Sequence, residues 1–192
     1  MKHVKPEYRS AWRVNFMSDN LIEVAQANVG ERETNGPNRS PWIDELCNRL
    51  GVKLGSSYCA SAVAFWLHEV GCKALADNPA SSQSWKAWAD DNGRLRSDPN
   101  DLLKCTGALG GWTDPNDSAH GHIFVITERL TTTDGDVAAV KTIEANTSSG
   151  GSANGDGVYD RRRNTQQVPT LWFIDLTGLP GCNYWPKTPV TP

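Results

Sequence analysis

Ser57-Tyr58-Cys59-Ala60-Ser61-Ala62-Val63-Ala64-Phe65-Trp66-Leu67 is the stretch on which the fold turns. From Ala60 to Leu67 it is apolar nearly all the way round, and a helix of that kind is buried. Ser57 is a fitting N-cap, which puts Cys59 in the first turn. Unpaired backbone N–H groups and the helix dipole favour negative charge there. That lowers the pKa of a thiol, and the thiolate is the nucleophile. A buried helix with a thiol at its positive end is a rigid mount for covalent catalysis. Cysteine is also among the most buried residue types, so Cys59 taken alone reads more readily as packing.

Outward from this helix the chain divides into two halves. Towards the amino terminus, Ser18 or Asp19 caps a helix carrying Leu21, Ile22, Val24 and Ala25, with Gly30 as its stop. Ser40-Pro41 opens a second with Trp42, Ile43, Leu46 and Leu50 at helical spacing, and Gly51 ends it. The Cys59 helix runs to about residues 70–71, and residues 81–90 suggest a shorter fourth. Towards the carboxyl terminus the pattern is β. His122-Ile123-Phe124-Val125-Ile126-Thr127 is rich in β-branched and aromatic residues, and a turn cluster follows over 131–136. Residues 137–146 are a second strand candidate, and residues 148–157 form a glycine- and serine-rich loop. Residues 158–163 and 170–175 are further strands. Helices first and antiparallel strands after define an α+β domain.

Composition excludes several classes. The chain has 192 residues, 38% hydrophobic and 21% charged, which fits one folded domain rather than a disordered tail. No run approaches 18 apolar residues, so a membrane-spanning helix is not expected. The net charge of -3 argues against nucleic acid as the partner, and Arg161-Arg162-Arg163 is too short to be a footprint. The five cysteines, Cys47, Cys59, Cys72, Cys105 and Cys182, form no C-x-x-C pair, so neither a structural metal nor a cofactor is expected. The polar start, Met1-Lys2-His3-Val4-Lys5-Pro6-Glu7, has no apolar core of a secretory signal.

A thiol nucleophile needs a base and a group to orient it. His3 lies near the terminus, and His68 is nine residues after Cys59, on the opposite side of the same helix. His122 opens the strongest strand next to Gly121, whose lack of a side chain allows close approach to the helix terminus. His120, two residues earlier, is its rival. The next strand ends Thr142-Ile143-Glu144-Ala145-Asn146. Residues at i and i+2 share a strand face, so Glu144 and Asn146 point together, and either can accept the imidazole N–H.

Three pieces in this order resemble the CHAP family of cysteine amidases and peptidases, within the papain-like NlpC/P60 group. They are Ser57-Tyr58-Cys59-Ala60-Ser61-Ala62-Val63, Gly121-His122-Ile123-Phe124-Val125-Ile126 and Ile143-Glu144-Ala145-Asn146. Ala25 to Glu33 resembles the family's first helix and its G-x-x-E exit, and Pro99-Asn100-Asp101 its turn before the histidine strand. The resemblance covers roughly residues 20 to 175 and implies a papain-like fold, with helices packed on an antiparallel sheet. It implies Cys59 as nucleophile, His122 as base and later acid, and Glu144 or Asn146 as the orienting group. It further implies an acyl-enzyme route to cleavage of a peptidoglycan amide bond, either sugar–peptide or within the stem peptide. Ser57-Tyr58 stands where many members have Pro-Trp, Ala145 replaces a common glycine, and residues 49–57 carry no acidic calcium loop.

Residues 1–18 are then an extension, 19–178 the catalytic domain and 179–192 an irregular tail. Tyr58, Trp88 and Trp112 are the expected substrate-binding residues, since aromatic rings stack on sugars as well as filling cores. The loop over 148–157 fits a flap over the site or a plain solvated loop. Arg161 to Arg163 read best as a solvated strand end. The expected setting is synthesis without a signal peptide and action at the bacterial wall after lysis or dedicated delivery. The expected partner is peptidoglycan, with an immunity or inhibitor protein as a further candidate, and a monomer is expected. Two other classes compete: a non-catalytic wall-binding module on the same fold, and a papain-like peptidase or transpeptidase with a substrate outside the wall.

Overall fold

The computed structural model describes residues 20–72, 75–150, 154–167 and 170–185. The expected 1–18 extension, His3, the Ser18 and Asp19 caps and the end of the tail beyond residue 185 lie outside the described residues. Helices α1 (Leu21–Gln26), α2 (Pro41–Leu50), α3 (Cys59–Glu69) and α4 (Ser82–Asp91) come first. Strands come after them: β1 (Leu95–Arg96), β2 (Ala108–Thr113), β3 (Gly121–Thr131), β4 (Val137–Thr147), β5 (Gly157–Asn164) and β6 (Leu171–Asp175). They form one six-stranded sheet in the order β1-β6-β2-β3-β4-β5. Every neighbouring pair is antiparallel, so the molecule is mixed α and β with its helices and strands segregated along the chain.

Local chemistry explains most of the helix ends. Ser40 Oγ accepts the Ile43 N–H at 3.1 Å, Pro41 sits in the first turn, and Gly51 takes the left-handed conformation that ends α2. Asn20 caps α1, its Oδ1 accepting the Ile22 N–H at 2.9 Å. Ser81 caps α4 through its hydroxyl. The start of α3 departs from expectation. Tyr58, not Ser57, is the N-cap, and no side chain caps the helix. The Tyr58 ring is wholly buried, edge-on to Trp42 at 6.4 Å, so the chain turns into the helix at the residue that the core anchors.

Alternation along β3 supplies two cores. Ile123 and Val125 face α1 to α4 with Val63, Trp66 and Leu67, whereas Phe124 and Ile126 join a second layer with Leu102, Cys105, Val140, Phe173 and Trp185. Pro99-Asn100-Asp101 opens a 3₁₀ turn, Pro99–Lys104, that caps this second layer. The segment expected as an irregular tail has no helix or strand over 179–185, yet it is packed. Cys182 is fully buried, the Leu21 N–H donates to the Gly181 carbonyl at 2.9 Å, and the Tyr184 hydroxyl donates to the Ala108 carbonyl at 3.0 Å.

Strand β2 was not among the elements expected from sequence, and it lies near the middle of the sheet. Gly110 and Gly111 disguise it. A Cβ on Gly110 would lie 2.3 Å from the Phe124 ring, and one on Gly111 2.3 Å from the Trp172 ring, so aromatic side chains lie flat across the strand. The strand register opens a gap in the sheet. β3 pairs with β2 from Gly121 to Ile126, but its ladder with β4 begins only at Val125–Ile143. The two strands thus part at the His122 end, and α3 packs against both. On the far side, the G-x-x-E stretch docks on β5: the Val158 N–H donates to the Glu31 carbonyl at 3.0 Å and the Glu33 N–H to the Asp156 carbonyl at 2.8 Å.

Candidate active site

The parted strands hold the group that the sequence pattern singled out. Cys59 is the first residue of α3, and its sulfur meets the His122 side chain and the backbone N–H groups of Ile123 and Ala60. Burial pushes the thiol up, but the neighbouring His122 imidazole, helped by the two N–H groups, outweighs it and leaves the thiol below its usual range. The helix start adds to this effect. With no side-chain cap, the first-turn N–H groups remain directed at whatever occupies the fork.

His122 lies on β3, fully buried, with Nε2 3.1 Å from Glu144 Oε2 on β4. That leaves Nδ1 as a buried ring nitrogen without a hydrogen-bond partner, available for proton exchange with the neighbouring thiol. Burial pulls the imidazole pKa down, but the interactions with Cys59 and Glu144 win and raise it to about 9. The sulfur and the ring therefore shift in opposite senses, which favours a thiolate–imidazolium pair at neutral pH.

Glu144 is wholly buried and saturated with partners. Oε1 accepts from Thr142 Oγ1 at 2.6 Å and from Arg163 Nε at 2.8 Å, and Oε2 accepts from Arg163 Nη2 at 2.5 Å besides meeting His122. Burial alone raises a carboxyl, but the Arg163 fork and His122 reverse that and bring it to about 2. The carboxylate is thus ionised throughout the physiological range and fixes the imidazole in one orientation.

Arg163 and Thr142 were missed at the sequence level. Thr142 was within reach of the same i, i+2 rule that singled out Glu144. Arg163 was read as part of a solvated strand end and is the correction: its side chain is 15% exposed and clamps the buried carboxylate. Only the β4–β5 register, which pairs Val140 with Arg163, puts it on the Glu144 face. Arg161, paired with Thr142, is half-buried and donates to the Ser149 carbonyl, and of the three only Arg162 is exposed.

The remaining expected residues separate. Asn146 is buried at a bulge in β4, with a positive φ of 57°, so regular alternation does not run through it. Its backbone N–H faces the Tyr58 hydroxyl. Tyr58, expected to bind substrate, is a core residue with no exposed surface, and burial pushes its hydroxyl well above the usual range. Trp112 is half-buried on β2 opposite His122, with its ring 5.8 Å from the imidazole, and is well placed as a wall of the site. Trp88 lies on α4 against Trp85 at 6.3 Å. His120, the rival base, is exposed and bonded to Asp117 at 2.7 Å. Gly121 also acts differently from expectation. A Cβ there would lie 2.2 Å from the Trp112 carbonyl and 2.6 Å from Gln83, so the room it makes is taken by β2 and α4 rather than by α3.

Access to the sulfur is narrow, because Cys59 is only 7% exposed. Of the loop read as a flap, residues 151–153 lie outside the described residues. Ser148, Ser149 and Asn154 line a cavity of about 430 Å³ with Glu33 and Asp156. Among the described residues no cluster of three or more His, Cys, Asp or Glu side chains is arranged to hold a metal, and no helix is long and apolar enough to cross a membrane. No protein-family model and no curated protein matches the chain.

Proposed function

We propose that the protein is a papain-like cysteine hydrolase that cuts an amide bond of peptidoglycan, as an N-acetylmuramoyl-L-alanine amidase or a stem-peptide endopeptidase. One observation carries the reading. His122 is bonded to Glu144 at 3.1 Å through one ring nitrogen and lies beside the Cys59 thiol with the other ring nitrogen unbonded, and the sulfur sits at the uncapped start of a buried helix. Nucleophile, base and orienting group stand in the order that thiol acyl transfer requires.

The chemistry runs through these atoms. The Cys59 thiolate attacks the amide carbonyl carbon, and the Cys59 backbone N–H is the first donor to the developing oxyanion. His122, holding the proton, gives it to the departing amine as the C–N bond breaks. The acyl group stays on sulfur until a water, relieved of a proton by His122, releases it as a carboxylate. Glu144 keeps the ring aligned and stabilises the imidazolium, and Arg163 and Thr142 keep Glu144 ionised and still. Trp112 beside the imidazole offers a flat wall for a sugar ring or a peptide.

Incubation of purified peptidoglycan with wild type and Cys59→Ala, followed by mass spectrometry of the soluble fraction, tests the reading. Fragments from wild type alone support it, and their masses name the bond. Binding to the wall that survives Cys59→Ala, with no fragments from either protein, would replace the hydrolase by a wall-binding module. Fragments in equal amount from both would remove Cys59 from the mechanism.

A further inference from the structure

Two thiols far from the candidate active site are in contact. Cys72 lies just past the end of α3, and Cys182 lies in the packed segment over 179–185. The Cys182 side chain neighbours that of Cys72, and the Cys72 thiol donates to the Pro180 carbonyl oxygen at 3.2 Å. The backbones around them are pressed together: a Cβ on Gly181 would lie 2.4 Å from Val70. The two sulfurs differ in access. Cys72 lines a cavity of about 360 Å³ with Leu67, Leu75, Ala76 and Trp85, whereas Cys182 is fully buried behind it.

We propose that Cys72 and Cys182 are a redox-modification site, closing to a disulfide when the protein meets a small-molecule disulfide oxidant such as oxidised glutathione. The Cys72 thiolate attacks one sulfur of the oxidant, forming a mixed disulfide and releasing one reduced glutathione. Cys182 loses its proton, attacks the Cys72 sulfur and expels the second reduced glutathione. Two protein thiols are thus oxidised, and one glutathione disulfide is reduced to two thiols. Access favours this order, because Cys72 lines the cavity whereas Cys182 is fully buried behind it, and the pairing of the two side chains lowers the Cys72 thiol and raises Cys182. The product ties the end of α3 to the carboxyl-terminal segment and closes a long loop, which disfavours the unfolded chain. A segment that spans both core layers through Cys182 and Trp185 becomes covalently fixed in an oxidising compartment.

The test uses the full chain carrying Cys59→Ala, so that the reactive thiol of the other site does not exchange. After incubation with oxidised glutathione, intact mass and peptide mapping are recorded, with Cys72→Ala and Cys182→Ala added singly as controls. The expected result is a 2 Da loss, a cross-linked peptide pair containing Cys72 and Cys182, and a melting temperature raised by several degrees that falls back on reduction. Cys182→Ala is expected to stop at a stable glutathione adduct on Cys72, and Cys72→Ala to take up none. A disulfide mapped to another pair would overturn the proposal. So would unmodified Cys72 and Cys182 after oxidation of the free thiol of a denatured control, or a lower melting temperature on closure.

Discussion

Arg163→Ala is the substitution whose cost the structure fixes most closely. Arg163 makes two bonds to Glu144, at 2.8 and 2.5 Å, and the carboxylate it holds is fully buried. Removing Arg163 leaves the buried carboxylate with only His122 and Thr142, so the cost of an uncompensated buried charge, about 3–5 kcal/mol, is the ceiling of the loss. The titration sets a similar ceiling. The carboxyl falls from 4.5 to about 2 in the fold, and at about 1.4 kcal/mol per pH unit this is about 3 kcal/mol of stability, shared between Arg163 and His122. The sign is set by the lowered folded value: that contribution is present above pH 4.5 and is lost as pH falls towards 2. For a chain of this size, about 3 kcal/mol corresponds to roughly 6–12 °C in melting temperature. Thermal unfolding of both proteins at pH 7 and across the acid range reads both effects. Arg163→Ala is expected to melt lower by up to that amount at pH 7, with the gap narrowing between pH 4.5 and 2. Arg49→Ala, which breaks two exposed ion pairs, serves as control and is expected to cost less than about 1 kcal/mol. A loss at Arg163 no larger than at Arg49, with the same acid profile as wild type, would refute the buried clamp.

The same geometry sets the outcome of other substitutions. Glu144→Gln removes the charge that helps raise His122 to about 9, so the alkaline limb of peptidoglycan hydrolysis is expected to move down towards pH 6.5, with a rate loss of at least about a hundredfold. Asn146→Ala is expected to lose less activity than Glu144→Ala, and the reverse order would make Asn146 the orienting residue. Gly111→Val forces a side chain into the Trp172 ring and the His122 carbonyl, and urea unfolding is expected to show a loss of about 1–3 kcal/mol. Ser40→Ala removes the cap of α2 and is expected to cost about 1 kcal/mol by the same assay, with the hydrolysis rate unchanged.

Much of this arrangement is legible in the chain itself, where local chemistry decides. Ser40-Pro41 and Gly51 bound α2 in sequence as they do in space, and the β-branched run from His122 is the start of β3. Glu144 is found by side-chain alternation once β4 is recognised. What stays hidden depends on long-range contacts. The N-cap of α3 is Tyr58 because its ring is buried against Trp42, and no rule of local capping anticipates that. The same burial takes Tyr58 out of any substrate surface, although its place beside Cys59 suggests the opposite. β2 is masked because Gly110 and Gly111 read as breakers, whereas in the sheet they admit Phe124 and Trp172. Arg163 needs the register of β5 against β4, which nothing in the run Arg161-Arg162-Arg163 discloses. The fork between β3 and β4 is a property of the whole sheet, and it is what lets a thiol on the helix layer meet an imidazole on a strand.

The central claim is the charged pairing of Cys59 with His122, and it can be measured without any substrate. Wild type and His122→Ala are treated with limiting iodoacetamide from pH 5 to 10, and the rate at each of the five cysteines is read by peptide mass spectrometry. Cys59 in wild type is expected to react well ahead of the other four at pH 7, with a rate already high below its ordinary pKa of 9 and a second step near 9 as the imidazolium loses its proton. His122→Ala is expected to react only as the pH rises to that of an ordinary or buried thiol. A Cys59 rate at pH 7 that is no greater in wild type than in His122→Ala would contradict the pairing.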